Sequence, residues 1–161
     1  MYLGFTMIAG SLFIYQEFHE KPVAEKQSAL AGFTLMALAG VGTFFVGIFP
    51  ENAHHALHLV SASLAIGVGN LAILILGWTL DIPQRLKSFM RFWAPVSLIA
   101  GCLLAFHHNF GIGAGLMERI AAYPESIWLI IFGAYIGQPQ LKGHKLMLRM
   151  MSFGTHRSAT Q

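Results

Sequence analysis

The sequence predicts an all-α fold, a polytopic transmembrane bundle of about five helices, and three observations carry that expectation. Of the 161 residues, 55% are hydrophobic and only 11% charged, with a mean hydropathy of +0.60, whereas a soluble domain carries about 25% charged residues. The apolar residues are gathered into long blocks, each near the roughly 20 residues that a helix needs to cross about 30 Å of hydrocarbon. The basic residues sit between these blocks rather than in one stripe. The net charge of +3 and pI near 9.3 therefore read as membrane-topology signals and not as a nucleic-acid footprint.

The first block, Met1 to about Tyr15, has neither a basic leader nor a small-residue cleavage site, so it is expected to be a retained span. It closes on Gln16, Glu17, His19, Glu20 and Lys21, residues that simply end a helix. A second block, Ser28 to Phe49, is rich in Gly and Ala, which suits close helix contacts, and Pro50 stops it. The polar break Glu51 to His55 is so short that the third block, about Ala56 to Leu80, must return as a tight hairpin. Asn70 inside that block is expected to hydrogen-bond another helix. Asp81, Ile82 and Pro83 end it. The basic stretch Gln84 to Arg91 reads as a loop before a fourth block, Phe92 to Phe106, with Pro95 in its first turn, where proline is tolerated. His107 and His108 follow. The fifth block, Pro124 to Ile136, spans only roughly 20 Å, so part of Leu116 to Tyr123 is expected to extend it. Residues 1–137 thus form the bundle and 138–161 a basic tail.

Alternating spans place the loops with Lys21, Lys26, Arg85, Lys87 and Arg91, and the tail with Lys142, Lys145, Arg149 and Arg157, on one side. That side holds nine of the ten basic residues. The positive-inside rule makes it cytoplasmic, with the N-terminus outside the cytoplasmic membrane.

The same alternation collects Glu51, Asn52, His54, His55, His58, His107, His108, Glu118 and Arg119 at the outer boundary, including five of the eight histidines. Glu51, His54, His55 and His58 stand three and four residues apart, which puts them on neighbouring positions of one helical start. Neutral imidazoles bind metals such as Zn, and a carboxylate completes the shell or acts as a base. His54, His55, His58, His107 and His108 are the candidate metal ligands. Glu51, His55, His58 and Arg119 are the candidate catalytic set. The plainer alternative is a wet interfacial loop whose histidines cap helix ends or bond backbone carbonyls. Cys102 is the only cysteine, so no disulfide or thiolate site can be built within the chain. No nucleophile-elbow, phosphate-loop, CxxC or HExxH pattern is present.

Three segments recur in a telling order: Val46-Gly47-Ile48-Phe49-Pro50-Glu51, then His55-Ala56-Leu57-His58, then Gly115-Leu116-Met117-Glu118-Arg119-Ile120. In this the chain resembles the prokaryotic integral membrane protein family catalogued as domain of unknown function 998, over most of its length. The resemblance implies six helices, a G-[IL]-F-P motif ending one helix, a His-containing start to the next and a G-L-x-[EQ]-R motif before the last. Carried onto this sequence, those motifs single out Phe49, Pro50, His55, His58, Gly115, Glu118 and Arg119. The chain departs from the pattern by lacking the first helix, and its start is expected to be truncated or placed too late. The family has no established activity, so the resemblance implies none.

Three readings stay open. In the leading one, the outward His/Glu/Arg site binds a divalent metal such as Zn or a polar lipid head group, and performs hydrolysis or transfer there. Glu51 is then ligand or base, His55 and His58 are ligands or proton carriers, and Arg119 is the anion clamp. The second is a b-type cytochrome in which His58 and His107 or His108 hold haem b between the third and fourth helices. The third is a non-catalytic accessory subunit. The expected partners are membrane lipids and other membrane subunits or a second copy of the chain, with no nucleic acid.

Overall fold

A computed structural model describes residues 1–16, 23–108 and 110–137, and no strand occurs among them. The elements are α1 (Tyr2–Gln16), α2 (Val23–Ile48), α3 (His55–Ser63), a π-helical turn (Leu64–Val68), α4 (Gly69–Thr79), α5 (Gln84–Ala105) and α6 (Ala114–Ile136). Because α3, the π turn and α4 run on without a break, the described residues make five rods. Three of them are long and apolar enough to cross a membrane: Lys26–Ile48, His55–Thr79 and Gln84–Ala105. α1 has 15 residues, about 22 Å of helix. α6 has 23, about 35 Å, but carries Glu118, Arg119 and Glu125. The chain forms two compact units, Met1–Ser126 and Ile127–Gln161.

The helix starts differ from the sequence expectation for a common reason. α5 begins at Gln84 instead of Phe92, because the basic stretch is an amphipathic helical entry: Leu86 and Met90 are buried while Arg85 stays exposed. Charge marked this stretch as a loop, but its apolar residues keep helical spacing. Pro95 accordingly lies in the helix interior, where it removes one backbone hydrogen bond. α2 begins at Val23, ahead of Ser28. α6 is one helix from Ala114 through Pro124, so the extension reaches beyond Leu116. The loop with Glu17, His19, Glu20 and Lys21 and the tail 138–161 lie outside the described residues.

Small residues set the packing within the first unit. A Cβ on Gly4 would lie 2.5 Å from the Gly40 carbonyl oxygen, so α1 and α2 touch backbone to backbone. Gly42 brings α2 against the π turn, where a Cβ would stand 2.6 Å from the Ala65 nitrogen. Gly32 receives the fully buried Leu76 of α4. Lipid tails are as apolar as leucine, so such close approach, not hydrophobic exclusion, supplies the attraction between helices in a bilayer. In the second unit, Trp128 and Phe132 stack with ring centroids 4.7 Å apart.

Candidate functional site

The predicted residues lie on three stretches: Glu51, His54, His55 and His58 at the turn from α2 into α3, His107 and His108 just past the end of α5, and Glu118 and Arg119 on the first turns of α6. Pro50 ends α2 and leaves the Phe49 carbonyl outside the helical ladder, while the Pro50 carbonyl accepts from the Ala53 and His54 amides at 3.1 and 2.9 Å. A helix end must place its last carbonyls somewhere. The Phe49 carbonyl takes its bond from the next helix: His58 Nδ1 donates to it at 2.8 Å. His54 sets its ring edge-on against Phe49, 5.8 Å between centroids. His58 thereby bonds a backbone carbonyl, as the plainer sequence reading allowed, whereas His54 makes a ring contact and no side-chain capping bond.

His55 differs. Its Nδ1 lies 3.7 Å from Glu51 Oε1, one helical turn away, and both side chains are largely exposed. Just past the end of α5, His107 takes a left-handed conformation, φ 59°. Its amide bonds the Leu104 carbonyl at 2.9 Å and the His108 amide bonds Leu103 at 2.8 Å. This double closure is how helices stop on a left-handed residue, a place usually held by glycine. Arg119 and Glu118 stand exposed on the first turns of α6, and Arg119 has no ion pair or hydrogen bond among the described residues. The structure therefore brings Glu51 and His55 together and turns His58 back into its own hairpin. Among the described residues, no three His, Cys, Asp or Glu side chains stand close enough to share a metal ion.

The opposite hairpin, α4 to α5, is closed in the same manner. Arg91 Nε donates to the Gly77 carbonyl near the end of α4 at 3.0 Å, with its guanidinium 4.0 Å above the Trp78 ring. Lys87 Nζ lies 3.8 Å from Asp81 Oδ1. Trp78, Phe92 and Trp93 are exposed around it, which is the aromatic belt expected at a membrane boundary.

A second polar group lies between these ends, buried among α4, α5 and α6. Asn70 is fully buried. Its Nδ2 donates to the Ile66 carbonyl at 2.8 Å and across to the Ala121 carbonyl at 3.2 Å, the interhelical bond the sequence led us to expect. Ser97 of α5 donates to the Ile120 carbonyl at 3.2 Å. Glu125, one turn beyond Ala121, is also buried, and its carboxyl fills the space above Gly69 that a side chain there would occupy. Glu125 Oε1 and Asn70 Oδ1 have no hydrogen-bond partner among the described residues. Sequence reasoning passed over Glu125, although a carboxylate inside an apolar block was itself the signal.

A bundle of apolar helices with polar hairpins, aromatic boundary residues and a buried polar seam is an integral membrane protein. The chain belongs to the family described as "Protein of unknown function (DUF998)", whose model matches residues 1–135. No curated protein and no solved structure matches it.

Proposed function

We propose that this chain is a cytoplasmic-membrane protein whose outward end, formed by Glu51, His55 and Arg119, engages the phosphate-bearing head groups of lipids. The observation that carries the reading is the open Glu51–His55 pair at the start of α3, followed within the next turns of the same helix by exposed Leu57, Leu59 and Val60. Polar groups directly above lipid-facing apolar side chains stand at head-group depth. Arg119 supplies a fork of donors suited to a phosphate, and it is not engaged by any described residue. His58 holds the hairpin in shape and does not touch the head group. The distribution of basic residues supports the orientation, with the N-terminus outside and the tail in the cytoplasm.

The test is lipid retention by the purified protein, offered phosphatidylglycerol and diacylglycerol together and read by native mass spectrometry. Preferential retention of the phospholipid, reduced several-fold in Arg119→Ala, is expected. Equal retention of the two lipids, or wild-type retention in the variant, contradicts the reading. Metal analysis and an absorption spectrum of the same preparation decide the other cofactor readings: bound zinc in stoichiometric amount, or a haem spectrum, would favour them over head-group binding.

A further inference from the structure

We infer that Glu125 and Asn70 form a buried site for a single positive charge, taken up as a proton or as an alkali-metal ion, distinct from the outward end. Both side chains are buried, Glu125 with 6% and Asn70 with none of its surface exposed. Three buried polar side-chain atoms lack a partner among the described residues: the Trp128 indole nitrogen, which belongs to the second unit, and Glu125 Oε1 and Asn70 Oδ1 in the first, two oxygens that accept or coordinate while the carboxyl is ionised. Asn70 has committed its donors to the Ile66 and Ala121 carbonyls, so its carbonyl oxygen is fixed in direction. The Ala121 carbonyl it grips lies one turn before Glu125 on α6, and Gly69, its chain neighbour, holds the notch that the Glu125 carboxyl fills. The two unmet oxygens therefore belong to one locality.

Charge decides the ligand class. Among the described residues no Lys, Arg or His is paired with Glu125: α4 presents Asn70, α5 presents Ser97, and on α6 itself Glu118 and Arg119 lie about two turns away on the exposed first turns. An ionised carboxylate with no counter-charge is very costly in an apolar interior. One positive charge neutralises it, whereas a divalent ion would leave a net charge behind. A neutral donor such as water would meet the oxygens but not the charge. The wide π turn, Leu64–Val68, ends immediately before Gly69 and Asn70. Such turns shift the side chains that follow them and are frequent at functional sites; here one precedes both the notch and the amide.

The experiment is infrared difference spectroscopy of the full chain in phospholipid vesicles, comparing acid with alkaline buffer and sodium with a bulky organic cation. A carboxylic-acid band that is absent in Glu125→Gln and that falls as pH rises is expected. If sodium or lithium also lowers the band at constant pH, the site takes the alkali ion; if only pH moves it, the site takes the proton. Gly69→Ala, which fills the notch, is expected to displace the band and shift its midpoint, and serves as the reporter should Glu125→Gln not assemble. A Glu125 band unmoved by pH or sodium, or no difference between wild type and both variants, overturns the site.

Discussion

At the scale of single residues, the histidines at the α2–α3 turn and past the end of α5 divide by task, and each task has a measurable consequence. His58 supplies the partner of a carbonyl left over at the end of α2. His58→Ala is expected to lower stability by about 1–2 kcal/mol, the cost of an unmet, partly buried acceptor, with no change in metal content, as read by thermal unfolding in detergent and elemental analysis. Loss of a bound metal along with stability would assign His58 to a metal site instead. His107 occupies a left-handed position that favours glycine, so His107→Gly is expected to raise stability by roughly 1 kcal/mol. Unchanged or lowered stability would mean that the imidazole makes a contact worth more than the relief of strain. The sequence showed these residues as a cluster because spacing reports which side chains share a helix face, but it does not report which backbone carbonyls lack a partner. That depends on where Pro50 breaks the ladder and on how sharply the chain turns.

At the scale of elements, two hairpins share one device: a side-chain nitrogen of the following helix binds a carbonyl at the end of the preceding one, His58 on Phe49 and Arg91 on Gly77. Arg91→Lys keeps the charge but loses the planar stack on Trp78 and the fixed donor direction. It is expected to lower the unfolding temperature measurably, and Arg91→Ala to lower it further; equal values for Lys and wild type would show that charge alone closes the hairpin. Helix contacts depend on glycine in the same specific way. Gly42→Ala places a methyl group against the backbone of Ala65 and Ser61, an overpacking expected to cost about 1–3 kcal/mol, whereas Gly10→Ala, with nothing within 4 Å, is expected to be neutral. Similar losses for the two would contradict the packing. Block lengths and the Pro50 and Asp81-Ile82-Pro83 stops made the helix number and the hairpins legible in the sequence. The start of α5 was not, because Gln84 to Arg91 is both charged and helical, and charge alone does not separate a loop from the wet first turns of a helix. Asn70 was legible as an interhelical donor, since an amide in hydrocarbon must find a carbonyl. Its location beside Glu125 was not, because only the packing of α4 on α6 joins residues 51 positions apart, Asn70 and Ala121.

At the scale of the whole molecule, orientation decides which ligands each end meets. If the end carrying Glu51, His55 and Arg119 faces outward, head groups of the outer leaflet are its natural ligands. The basic residues Lys26, Arg85 and Lys87 then face the cytoplasm, where anionic lipid and the positive-inside bias favour them. The measurement that tests this most directly is cysteine accessibility in intact cells, with Cys102 replaced by Ala and single cysteines placed at Asn52 and at Lys87, treated with a membrane-impermeant maleimide. Labelling is expected at Asn52 in intact cells and at Lys87 only after the membrane is opened. Labelling at Lys87 in intact cells with Asn52 protected would invert the bundle and contradict the outward site.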